Sequence, residues 1–163
     1  MSGRSPGVGW ADRLFAPRAL RWTLVELCRR TTLEGWDELQ AAAAAGRGIA
    51  LVAPAGALWP VAARALAAWT GPLHLALPAG ERDRRLARLV CAGGDSAPLL
   101  AAGPAPVQGA LAAGAKVLFV IEAGSPGPPP PAIPDDVPRL AIAIERPGHG
   151  RYRLIIRRPP PPP

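Results

Sequence analysis

The sequence predicts an α/β domain with a mainly parallel central sheet, flanked by helices and completed by a C-terminal antiparallel edge hairpin. Two observations support this fold class. Short apolar runs such as 49–53 and 116–122 are typical of strands buried on both faces, and they alternate with helical segments between residues 35 and 122. Two further strand-like runs, 139–145 and 152–157, then follow each other around a Pro/Gly-rich turn, which indicates a hairpin.

The apolar patterning places five strands and five helices along the chain. The predicted strands are 49–53, 72–77, 116–122, 139–145 and 152–157. The predicted helices are 18–30, one within 31–48, 58–69, 79–94 and 105–115. Pro60 fits the third helix only in its first turn, where the missing N–H is not needed. Residues 1–9 and the polyproline II tail 159–163 flank a single domain, 10–158.

Charge is concentrated at both ends of the chain, which carries a formal net charge of +7. Residues 1–30 hold six arginines and two acids, and residues 139–158 hold six arginines and one acid. This favours anionic partners such as phospholipid head groups, although arginine also keeps an alanine-rich protein in solution. The head-group contacts predicted within 18–30 are Arg18, Arg21, Trp22, Arg29 and Arg30. Packing of the same helix into the core is the alternative.

Cysteine usage and hydropathy indicate either a cytoplasmic protein or one that is peripheral on the inner face of the membrane. Cys28 and Cys91 lie far apart, which argues against a disulfide scaffold and against a zinc site. We find no secretory signal pattern near the N-terminus. The longest uncharged run, 96–115, is interrupted by three prolines and is a poor membrane span.

The common catalytic and cofactor motifs are absent or misplaced, so no cofactor is predicted. The run 109–116 has Walker A spacing up to its lysine, but it precedes a predicted strand instead of following one. His74 lies in an apolar strand and is expected to be a hydrogen-bonded core residue. His149 stands between two glycines of a turn. The Asp135–Asp136 pair lies in a Pro-rich loop, where a solvated turn is favoured over a carboxylate site.

The order of elements resembles the lysophospholipid acyltransferase superfamily, especially its lipid A late acyltransferases. The matching segments are TLEGWDEL, GRGIALVAPAGALW, ALAAGAKVLFVIEAGSPG, VPRLAIAIERP and HGRYRLIIRRP. Together they cover about residues 32–158. In that family, a histidine and an acid five positions later form a dyad in the loop after the first apolar strand. There the imidazole takes the proton of an acceptor hydroxyl as it attacks an acyl thioester.

The resemblance places this dyad at Ala55 and Pro60, neither of which can accept a proton. No histidine precedes His74, so shifting the alignment does not supply one. Glu122 ends the strand 116–122 and matches the acid of another family segment, but the phosphate-holding arginine that follows in the family is absent here. The polar end of a buried strand is the alternative interpretation of Glu122.

The resemblance therefore implies a degenerate acyltransferase-like domain, weak or inactive in catalysis, that binds acyl chains or lipid head groups. One alternative is an active acyltransferase in which His74 or Glu122 replaces the missing base and acyl-CoA or acyl-carrier protein is the donor. Another is a non-catalytic basic scaffold whose Pro-rich tail binds a partner. A nucleic-acid partner is disfavoured, because no recognised reader motif is found. The sequence does not determine the oligomeric state.

Overall fold

Seven strands form one sheet in the computed structural model, which describes residues 18–77, 96–99, 104–121 and 133–159 together with Ala87 and Val90. The strands are β1 Thr31–Glu34, β2 Ile49–Pro54, β3 Leu73–Ala76, β4 Ser96–Leu99, β5 Lys116–Ile121, β6 Arg139–Gly148 and β7 Arg151–Arg157. The helices are α1 Leu24–Arg30, α2 Trp36–Ala44, α3 Trp59–Thr70 and α4 Pro104–Ala112. The sheet order is β1-β7-β6-β2-β5-β3-β4.

The fold class is confirmed: the sheet is mainly parallel, with one antiparallel pair, β6 and β7. All five predicted strands are present. In one detail the prediction was wrong, because the hairpin is not at the edge of the sheet. The short strand β1 pairs in parallel with β7 and lies outside it. Four residues are too few for a periodic signal, and their partner strand lies about 120 residues further along the chain.

A continuous helix over 18–30 was predicted, and the structure corrects it. Residues 18 and 19 are helical, residues 20 and 21 form a turn, and α1 begins only after Thr23. The Thr23 backbone is extended, and its hydroxyl accepts a hydrogen bond from the Glu26 N–H at 3.2 Å. Threonine thus caps α1, a role that competes with continuation of the preceding helix. Leu27 faces the core and Val25 is 65% exposed.

Helix α3 forms the centre of the domain because both of its faces are buried. Trp59 and Leu66 pack with the sheet residues Leu51 and Leu118 in the main core cluster. The opposite face joins a second cluster made by Ala19, Leu27, Ala57, Val61, Ala65 and Tyr152. Pro60 lies in the first turn, as predicted. Because nearly all of its residues are apolar, α3 requires this double cover.

The other face of the sheet is covered in part by α4, which packs through Val107 and Leu111 against Val117 and Phe119. Of the predicted helix 79–94, Ala87 and Val90 are helical and buried. The rest of that helix lies outside the described residues, as do the tail 1–9, Trp10, Cys91 and the Pro-rich segment 122–132.

Candidate functional site

The loop 55–58 joins the carboxyl end of β2 to α3, and it is the place where the resemblance expects the catalytic dyad. Ala55, Gly56 and Leu58 are half-buried. Ala57 is 4% exposed and belongs to the second core cluster, together with Val61 and Tyr152. Pro60 is also buried. Every side chain of this loop is therefore apolar and packed, and none can take a proton from a hydroxyl.

The two segments that carry the resemblance lie side by side in the sheet. Pro54 pairs with Ile121, and the Ala55 N–H donates to the Ile121 carbonyl at 2.6 Å. The parallel pairing of β2 and β5 thus brings the loop 55–58 next to the point where β5 ends. Glu122 is the next residue of the chain, and it lies outside the described residues.

His74 lies far from this loop. It pairs with Val117 on β5, which in turn pairs with Ala50, five residues before Ala55. At about 3.3 Å per residue, this separates the two positions by roughly 16 Å along the strands. His74 and Ala55 also lie on opposite faces of the sheet, because Leu73 and Leu75 share the α3 face with Ala55.

The expectation of a hydrogen-bonded core histidine is not met either. His74 is half-buried, and within the described part of the chain its Nδ1 atom is buried without a hydrogen-bond partner. No carboxylate among the described residues orients this imidazole, so the arrangement of a general base is missing. The placement of His74 argues against its use on a hydroxyl held at the loop 55–58.

An apolar surface remains at the carboxyl ends of the strands. Ile121 is 36% exposed, its neighbour Pro54 is exposed, and Val52 on the same face is half-buried. In open α/β sheets this end is where ligands commonly bind. We call Val52, Pro54 and Ile121 the apolar end surface.

Two clefts of about 300 and 290 Å³ lie at the opposite, amino-terminal end of the parallel strands. The first lies between α2 and the start of β6, beside the Arg158–Glu38 ion pair at 2.6 Å. The second lies between α4 and the 134–137 turn, beside the Arg47–Asp136 ion pair. Both ion pairs are exposed and of little energetic weight.

The Asp135–Asp136 pair forms no shared carboxylate site. Asp136 binds Arg47, and Asp135 binds Arg139 at 3.3 Å. The two carboxylates thus pair with different arginines on an exposed turn. This agrees with the solvated turn that the sequence favoured over a carboxylate site. Among the described side chains, no group of three or more His, Cys, Asp or Glu residues is arranged to hold a metal ion.

The predicted head-group residues divide into two groups. The Trp22 ring packs against Tyr152, with ring centroids 6.0 Å apart, and the Arg30 guanidinium lies 4.9 Å from the Trp22 centroid. Arg30 also pairs with Glu26. Trp22 is half-buried, and its ring packs on Tyr152 beside Arg30. The exposed members of the set are Arg18, Arg21, Arg29 and Arg30.

Two contributors to these surfaces were missed from the sequence alone. Arg151 follows the turn that contacts Trp22, and Ile121 stands exposed at the end of a strand that looks wholly buried. The clustered arginines near the C-terminus were a signal for the first. Nothing in the local pattern of β5 distinguishes Ile121 from its buried neighbours.

Comparisons with known proteins add no relatives: no family model matches the chain, and no curated protein matches it. Across the ranges described above, no helix has both the length and the apolar character needed to cross a bilayer.

Proposed function

We propose that this chain is a non-catalytic acyltransferase-like domain that binds acyl chains of lipids at the carboxyl ends of its parallel strands. The observation that carries the proposal is the apolar, packed loop 55–58 at the position where such a fold would hold its base. The pairing of Pro54 with Ile121 supports it, because it sets the two resembling segments beside each other as the acyltransferase layout requires.

Catalysis without that base is expected to be slow. A hydroxyl has a pKa far above 7, and its attack on a thioester needs a base within hydrogen-bond reach. A missing general base typically costs a factor of about 10² to 10⁴ in rate. We therefore expect turnover below about 1 s⁻¹, the lower end of typical enzymes, with acyl-CoA or acyl-carrier protein as donor.

The measurement is acyl transfer to several lysolipid and saccharolipid acceptors. Turnover above about 1 s⁻¹ would overturn the non-catalytic assignment and favour the enzyme alternative. In that case, loss of activity in His74→Ala or Glu122→Gln would identify the substitute base. If both variants kept the activity, the proton acceptor would lie elsewhere in the chain.

Acyl-chain binding is tested separately at the apolar end surface. Placing an amide at Ile121 puts a polar group where a methylene chain would lie, and each buried methylene contributes about 0.8 kcal/mol. We expect Ile121→Gln to weaken binding of a fluorescent C16 fatty-acid probe several-fold. Trp36→Gln is the matched control, because Trp36 is 37% exposed and lies at the start of α2.

Two results would contradict the binding half of the proposal. One is the absence of saturable binding by the unchanged protein. The other is equal weakening by Ile121→Gln and Trp36→Gln, which would indicate general adsorption of the probe to exposed apolar side chains. The non-catalytic scaffold alternative would then be favoured.

A further inference from the structure

We propose that the protein contacts anionic bilayers through a composite basic surface made by both ends of the described chain. This surface consists of Arg18, Arg21, Arg29 and Arg30 from the N-terminal segment and Arg151 from the β6–β7 hairpin. We call it the basic end surface. The inference deepens the proposed lipid-binding function and rests on it for the kind of partner, but its evidence is independent of the loop 55–58.

The tertiary structure joins the two basic segments. Thr31 pairs with Tyr152, so Arg30 and Arg151 each stand one residue before a paired position. The hairpin turn also touches the N-terminal segment directly. A Cβ atom added to Gly150 would lie 2.9 Å from the Arg30 Nη1 atom and 3.8 Å from the Trp22 ring. Residues more than a hundred positions apart therefore contribute to one surface.

The charge of this surface is unbalanced. Residues 18–30 and 146–151 contain six arginines and one carboxylate, Glu26, which pairs with Arg30. The acid just outside the second range, Glu145, faces Arg153 at 3.6 Å. Arg153 also binds Glu34, and that hydrogen bond is the main cause that raises the pKa of Arg153. These neighbouring acids are thus matched to Arg30 and Arg153, and among the described residues Arg21, Arg29 and Arg151 form no ion pair, which leaves an excess of positive charge.

An apolar side chain stands within the basic end surface. Val25 is 65% exposed on α1, and Arg29 follows it by one helical turn on the same face. An aliphatic group among cations suits a bilayer interface, where the cations meet lipid phosphates and the aliphatic group enters the acyl boundary. A partner bound only through its phosphates, such as nucleic acid, would make no favourable contact with the Val25 side chain. This favours a lipid surface.

The basic end surface lies at the same end of the sheet as the proposed acyl-binding residues. β6 runs parallel to β2 and ends beyond the carboxyl end of β2. Because β7 is antiparallel to β6, it starts at that same end. The loop 55–58 and the apolar end surface lie at that same end. Contact through the basic end surface therefore places the proposed acyl-binding end of the domain toward the bilayer.

The test is flotation of the full chain with vesicles, without any soluble acyl ligand. Binding is expected with vesicles of 30% phosphatidylglycerol in phosphatidylcholine, and it is expected to be lost with pure phosphatidylcholine and at 0.5 M salt. Arg29→Gln/Arg151→Gln is expected to lower the partition coefficient about tenfold. The control is Arg157→Gln/Arg158→Gln, which removes the same charge at the other end of β7 and is expected to change it less than twofold.

Circular dichroism of each variant confirms that the fold is kept, and Val25→Ser provides a second test that leaves the charge unchanged. We expect Val25→Ser to weaken binding about threefold. Equal binding to neutral and anionic vesicles would overturn the inference, and so would equal effects of the two double variants. Tighter, Arg29-dependent binding to a duplex oligonucleotide than to vesicles would assign the surface to nucleic acid. Vesicle binding that persists while the fatty-acid probe fails to bind would overturn only the acyl-chain proposal.

Discussion

Replacing Gly35 by alanine is expected to lower the free energy of unfolding by at least about 3 kcal/mol. Gly35 caps the start of α2 with φ +81°, a conformation that costs a side-chain-bearing residue about 1 kcal/mol or more. The new Cβ would also lie 2.0 Å from the Ile156 carbonyl oxygen of β7. That atom belongs to the backbone of the β6–β7 hairpin, so relief requires α2 to move away from the sheet.

Gly114→Ala is the matched control for this variant. Gly114 has φ +83°, and no atom lies within 4 Å of the position that its Cβ would take. Its replacement carries the conformational cost alone, about 1 kcal/mol. Urea unfolding of the two variants separates backbone strain from steric exclusion. Equal losses in the two would show that the approach of α2 to Ile156 is not a constraint on the fold.

Replacing Arg64 by alanine is expected to cost about 2 to 4 kcal/mol. Arg64 is 8% exposed on the central helix α3, and its Nη1 atom donates to the carbonyls of Ala19 at 3.3 Å and Leu20 at 2.7 Å. These carbonyls end the helical turn that precedes α1. The variant leaves them without their charged donor and also opens a cavity beside α3.

Two further variants separate these contributions. Arg64→Met keeps most of the side-chain volume, and it is expected to lose less stability than Arg64→Ala because the cavity is filled. Arg21→Ala removes an exposed arginine of the same segment and is expected to change stability by less than about 0.5 kcal/mol. Thermal or urea unfolding gives the comparison. A loss for Arg64→Ala no larger than that for Arg21→Ala would contradict the assigned role.

Anchoring by Arg64 also bears on the proposed membrane contact. It attaches the turn at residues 18–20 to α3, and Ala19 and Leu27 pack beside it. The basic end surface is therefore built on a buried support. Both Arg64→Ala and Arg64→Met remove the donor to the Ala19 and Leu20 carbonyls, so vesicle binding is expected to fall in both variants, and to fall further in Arg64→Ala because of its cavity.

Much of the sheet could be predicted from local composition. The runs 49–53 and 116–122 are apolar throughout because parallel strands covered on both faces need apolar side chains on both. The turn of Pro and Gly residues at 147–150 predicted the hairpin by the same local chemistry. The absence of a base at Ala55 and Pro60 is also a property of the sequence, since no fold can give these side chains a proton acceptor.

Only the tertiary structure decided how distant segments combine. β1 exists because Thr31–Glu34 meets β7, and four residues carry too little periodicity to show this in advance. The packing of the Trp22 ring on Tyr152, beside the Arg30 guanidinium, joins residues 130 positions apart in the sequence. His74 and Ala55 are separated by strand register, and Arg30 and Arg151 are brought together by it. Such contacts depend on which strands pair, and no local pattern contains that information.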